Sequence, residues 1–155
     1  MKKTVCCFTG HRTIMDEDAK SIIGALDTHI NRLLENGVSV FRSGGAMGFD
    51  TLAALCVIKC RQKNPHVRLV LFLPCRDQAK FWGEYEKGVH DYIIANADEV
   101  VYTSDDYWDG CMHHRNRLMV EGSSYCIAYC QRKRSGTAYT VAYAEKHGVE
   151  IINVI

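Results

Sequence analysis

Residues 38–50 read VSVFRSGGAMGFD. A β-branched apolar run passes straight into Gly44 and Gly45, with Gly48 one turn on and a helical pattern from Asp50. A strand that enters a helix through such a turn is the joint of a βα unit. Gly44 and Gly45 can adopt positive φ and leave no Cβ between backbone N–H groups and a bound anion. Gly48 permits close approach at the head of the next helix, whose dipole favours negative charge. The spacing is neither G-x-G-x-x-G nor G-x-x-x-x-G-K-[ST], so ordinary dehydrogenase and Walker readings lose support. The plainer alternative is a tight turn with Asp50 as helix N-cap.

The alternation extends in both directions. Strand patterns fall at 3–8, 38–42, 67–73, 98–102, 124–130 and 149–154, several of them apolar on both faces. Helix patterns fall at 17–35, 50–62, about 80–96, 112–122 and 137–147. Strands apolar on both faces are covered on both sides by helices. The chain therefore reads as an α/β fold, a doubly wound and mostly parallel sheet of about six strands with helices on both faces. With no linkers, repeats or low-complexity tracts, residues 1–155 are expected to form a single domain.

Composition narrows the function classes. The 155 residues are 47% hydrophobic and 24% charged, with a formal charge of +1, the profile of a globular chain. A dedicated duplex-DNA binder carries a stronger basic excess. The apolar run near the start (Val5–Phe8, with Thr4) is too short for a secretion signal, and no run approaches the ~18 residues needed to span a bilayer. A cytoplasmic location follows as an expectation, with the eight cysteines as reduced thiols. The nearest approach to a metal motif, CMHH at 111–114, lacks a second ligand cluster, so no metal site and no required cofactor are expected.

Ligands of such folds bind outside the carboxyl ends of the strands. Beside 43–50, the loops there are TGHR (9–12), PCRDQAKFWGEY (74–85), TSDDYWDGCMHHRNR (103–117) and RKRSGT (132–137). Gly10, His11 and Arg12 offer an arginine fork for phosphate or carboxylate, against the alternative of a surface turn. Ser135, Gly136 and Thr137 open a helix after three basic residues, a second anion cradle or an exposed basic turn. Arg115 and Asn116 start the fourth helix on the same edge, as anion ligands or a helix-start salt bridge. Phe81, Trp82 and Tyr85 supply aromatic surface, but Trp82 and Tyr85 read better as the buried face of a helix. Tyr107 and Trp108 are the candidates to cover a base.

With these blocks assembled, the chain resembles the SLOG superfamily of DprA/Smf DNA-processing proteins and LOG (Lonely Guy) enzymes. Within it the closest match is the YpsA-like family, formerly a domain of unknown function. The resemblance covers nearly the whole chain, on TGHR (9–12), SGGAMGFDTLAA (43–54), RNRLMVEGSSYCIAYC (115–130) and SGTAYTVAYAEKHGVEIINV (135–154). It implies a Rossmann-like fold, a pocket for a nucleotide or nucleotide-derived ligand, and homo-oligomers, most simply dimers. The implied ligand-binding set is Gly10, His11, Arg12, Ser43, Gly44, Gly45, Ala46, Met47, Gly48, Asp50, Arg115, Asn116, Ser135, Gly136 and Thr137.

LOG enzymes cleave the N-glycosidic bond of nucleoside monophosphates and carry a glutamate three residues after the motif threonine. Thr140 stands there in SGTAYT, and a hydroxyl cannot replace a carboxylate in that chemistry. Asp50 and Glu121 are the weak catalytic candidates that remain. The expected function is a nucleotide-derivative sensor or regulatory module that relays occupancy to a protein partner. The alternatives are a LOG-type phosphoribohydrolase and, as in DprA, a single-stranded nucleic acid binder.

Overall fold

The first strand shows why both sheet faces are apolar. In β1 (Val5–Gly10) Cys6 and Phe8 point to one face and Cys7 to the other, all three fully buried. Cys6 and Phe8 pack with Phe41, Ile22, Leu26 and Phe49, while Cys7 packs with Cys126, Ala128, Met119, Val120 and Ala144. Two cores on opposite faces follow from the period-two alternation of a strand.

The computed structural model describes residues 4–155. The order is β1, α1 (Asp16–Glu35), β2 (Val40–Ser43), α2 (Phe49–Arg61), β3 (Arg68–Leu73), α3 (Glu84–Asn96), β4 (Glu99–Tyr102), α4 (Cys111–Val120), β5 (Tyr125–Tyr129), α5 (Gly136–Lys146) and β6 (Glu150–Asn153). The six strands form one all-parallel sheet in the order β4-β3-β2-β1-β5-β6. Helix α2 packs against α1 and α3, and α4 against α5, which places three helices on one face and two on the other. This is the doubly wound, Rossmann-like sheet expected from the alternation.

Every anticipated strand and helix is present, with shifted ends. Lys3, the first residue of the expected first strand, lies outside the described residues. That strand runs on to Gly10, because Thr9 and Gly10 pair with Ala128 and Tyr129 of β5. Helix α3 starts at Glu84 rather than near residue 80, since residues 79–82 are held in turns by bonds such as Trp82 N–H to Ala79 O (3.1 Å). Trp82 and Tyr85 are not a buried helix face: Trp82 precedes the helix, its ring edge-on to His90, and Tyr85 is 79% exposed. All eight cysteines are free thiols. Among the described residues no helix is long and apolar enough to cross a membrane.

The strand order decides where a crevice opens. The chain moves outward through β2, β3 and β4, then returns through α4 to place β5 on the other side of β1. The loops after β1 and β5 consequently leave toward opposite faces, parting above the carboxyl ends of two adjacent strands. Such a switch point is where open α/β sheets bind ligands.

Candidate ligand site at the switch point

A cavity of about 480 Å³ occupies this crevice, within the range of small-molecule sites. Residues 9–13 at the end of β1 and just after it, Ala46 and Asp50 after β2, Met112, His113, Arg115 and Asn116 of α4, and Arg132 with Ser135–Thr137 after β5 form its walls.

The β5 side presents free donors. Ser135 is the N-cap of α5, its Oγ accepting from Ala138 N–H at 3.1 Å. The N–H groups of Gly136 and Thr137, the first two of the helix, have no intrahelical acceptor and lie in the cavity wall. That is the arrangement that binds anions at helix N-termini.

His11 adds a donor through its tautomer. The residue is 6% exposed, with its ring edge-on to Tyr129 at 5.4 Å. Burial, reinforced by the nearby Arg132 guanidinium, holds its pKa below the ordinary value, so the ring is neutral at pH 7. Nε2 is 2.8 Å from the Gln131 backbone N–H, which can only donate, so Nε2 is the acceptor and the proton resides on Nδ1. Arg132 Nη2 lies 3.5 Å from this Nδ1. Two donors thus face each other at the cavity wall, and an oxygen acceptor between them would satisfy both.

The β2 side is built differently from the cradle expected there. Of the three glycines, Gly45 (φ 67°) and Gly48 (φ 79°) have positive φ and Gly44 does not. Gly44 is required for space: a Cβ there would lie 2.7 Å from Arg115 Nη1 and 2.8 Å from Asp50 Oδ2. The donors of this loop point inward, Gly45 N–H to Ser43 Oγ (3.3 Å) and Ala46 N–H to Asp50 Oδ2 (3.3 Å). Phe49 N–H, at the head of α2, bonds His11 O at 3.1 Å, and a Cβ on Gly48 would strike the Arg12 carbonyl. The loop after β1 therefore caps α2. Asp50 is the second residue of α2 and Gly48 the N-cap, so the expected Asp50 cap is displaced by two residues.

Two buried, oppositely charged side chains line the cavity near one another, Arg115 and Asp50. Arg115, 3% exposed, donates through Nη1 to Gly44 O and to Phe72 O (3.1 Å), and through Nε to Asn116 Oδ1 (2.7 Å). Asp50, 6% exposed, has its pKa pushed up to about 6 by burial, with Arg115, the Ala46 N–H and Arg12 opposing the rise. Arg115 is pushed down by burial and partly restored by Asp50.

The structure thus brings His11, Arg12, Ala46, Asp50, Arg115, Asn116, Ser135, Gly136, Thr137 and Gly10 to one cavity, with Ser43, Gly44 and Gly45 as its support. Met47 and Gly48 line a neighbouring groove with Trp82. Trp108 bonds Ser104 (2.8 Å) and Tyr107 lines a separate cavity, so neither covers this one. Glu121 follows the last residue of α4, at the opposite edge of the sheet, where its carboxylate accepts from Tyr143 OH (3.1 Å). Thr140 is buried and bonded to Gly136 O (3.0 Å) and Asn116 Nδ2 (3.1 Å), tying α4 to α5. Met112 and His113 were not legible as site residues, because only the turn at Gly110 aims the first turn of α4 at the cavity. Among the described residues no group of three or more His, Cys, Asp or Glu is placed to hold a metal ion.

A family model described as the YspA SLOG family matches residues 6–152. The chain belongs to this family. It is similar to the SPbeta prophage-derived protein YoqJ of Bacillus subtilis, at 27% identity over 68% of this chain and 69% of YoqJ. A UPF0398 protein of Halalkalibacterium halodurans is 29% identical over 79% of this chain and 66% of its own length. Among solved structures, DNA processing protein A of Streptococcus pneumoniae superposes with a TM-score of 0.70 at 22% identity. It covers 98% of this chain, which spans only half of the pneumococcal protein. The Helicobacter pylori counterpart, whose single-stranded DNA binding mode has been described, gives 0.66 at 19% identity, over 98% and 65% of the two chains. These likenesses establish the shared fold.

Proposed function

We propose that this SLOG protein binds a small phosphate-bearing, nucleotide-derived ligand at the switch point and acts as a sensor or regulatory module. The observation that carries the reading is the convergence of unsatisfied donors on one cavity: His11 Nδ1–H, Arg132, and the first two N–H groups of α5. Arg12 adds positive charge at the same cavity, and the one carboxylate that lines it among the described residues, Asp50, is offset by Arg115. The phosphate sits at the α5 N-terminus in this reading, and the glycine loop after β2 is a rigid base for Arg115. Calorimetric titration with ribose 5-phosphate tests it. Arg132→Ala, at an exposed position, is expected to weaken binding by roughly tenfold or more with unchanged thermal stability. Equal affinity in the variant would refute the placement.

A second reading rests on Asp50. A carboxyl that lines the cavity and titrates near 6 has the character of a general acid or base. It would serve N-glycosidic cleavage of a nucleoside monophosphate in place of the glutamate that Thr140 supplants. Release of free adenine from AMP, detected by mass spectrometry and abolished in Asp50→Asn, is its expected signature; intact AMP after prolonged incubation rejects it.

A further inference from the structure

We infer that a second cavity, separated from the phosphate cavity by Met112, is the subsite for a nucleobase, read by the Gln78 amide and covered by Phe81 and Tyr107. This rests on the nucleotide reading above and deepens it. Gln78 Nε2 and Oε1 are both sealed from solvent and have no hydrogen-bond partner among the described residues. Native interiors rarely leave both ends of an amide unsatisfied, and such a group points to a missing partner. The complement of an amide is an edge with a donor beside an acceptor, as adenine presents at N6 and N7.

The surroundings suit a flat ring. Gln78 lines a cavity of about 370 Å³ together with Phe81, Tyr107 and Met112. Phe81 is 90% and Tyr107 64% exposed, unusual for large aromatics and suited to stacking on a base. These residues come from the loops after β3 and β4, on the same edge of the sheet as the phosphate cavity. A neck of about 50 Å³, bordered by Arg12, Gln78 and Met112, lies between the two. Arg12 and Met112 also border the phosphate cavity, and Arg12 Nη2 rests 3.2 Å from Met112 Sδ. The partition is therefore one flexible thioether and one exposed arginine, both free to change rotamer. A ligand with its phosphate at α5 and its base at Gln78 would displace this contact, uncover the sealed amide and supply it with its partner.

Calorimetry with AMP and ribose 5-phosphate separates the two subsites. Wild type is expected to bind AMP at least ~10-fold more tightly than ribose 5-phosphate. Gln78→Leu should bring the two within ~3-fold of each other while leaving the ribose 5-phosphate affinity unchanged. Phe81→Ala, at a 90% exposed position that poses no risk to folding, should narrow the gap as well and decides the matter if Gln78→Leu fails to fold. Equal affinities for the two ligands in wild type would overturn the base subsite and leave the phosphate site standing. Equal weakening of both ligands by Gln78→Leu would make Gln78 a structural residue and overturn it too. Failure of wild type to bind either ligand would overturn the phosphate reading and this one together.

Discussion

Asp50 combines burial with a charged neighbour, and burial dominates. Its carboxyl is raised from 3.8 to about 6, so the folded protein holds that proton more tightly than the unfolded chain does. The stability associated with the neutral form is fully present below pH ~4 and is lost as pH rises through about 6. Asp50→Asn, which stays neutral, should therefore gain on wild type by on the order of 3 kcal/mol between pH 4 and 7 and no further above that. Urea unfolding of both proteins at four pH values across this window measures the difference. A difference independent of pH would show that the carboxyl is not raised. A residue whose charge costs stability at neutral pH and which lines a cavity fits a site kept for function. His11 makes the complementary point: one backbone N–H at Nε2 decides where its proton resides, and so makes it a donor toward the cavity.

Helix α4 illustrates how an element is aimed. Gly110, left-handed at φ 99°, starts it, and Gly122 at φ 83° turns the chain away beyond its end. Two arginines tie it to the sheet, one from the helix itself and one from β2. Arg115 anchors the first half to Gly44 O and Phe72 O, and Arg42 of β2 donates from Nη1 to Met119 O (3.1 Å) and Glu121 O (2.6 Å) at the far end. A cation on the last carbonyls of a helix satisfies acceptors that have no intrahelical donor. Arg42→Leu is expected to cost about 1–3 kcal/mol. Hydrogen exchange should locate the effect, with amides of the last turn of α4 exchanging faster and those of α1 unchanged. Uniform acceleration across the sheet would mean that Arg42 supports the whole core rather than this helix. On the opposite face, α2 is fastened at its head by the loop after β1, which joins two of the cavity walls.

Across the whole molecule, the alternation of apolar runs and amphipathic stretches was sufficient for six strands, five helices and their parallel, two-faced arrangement. Those features depend on periodicity, and periodicity is local. The blocks TGHR, SGGAMGFD, RNR and SGT were likewise legible as candidates for one cavity, because right-handed crossovers put every strand-to-helix loop on one edge whatever the strand order. The roles within that edge were not legible. Gly44 has the composition of an anion cradle, yet its missing Cβ makes room for Arg115, 71 residues away in sequence. Glu121 and Asp50 are both carboxylates in motif blocks, but the direction of α4 carries the first to the far edge while the start of α2 brings the second to the cavity. The orphaned Gln78 amide carries no sequence signal, since satisfaction of a polar group depends on every element packed around it. Short-range patterning thus determined the fold and the edge on which the candidate site lies. Only tertiary packing, by placing the β5 strand beside β1, decided which donors remain free there and which are spent holding the protein together.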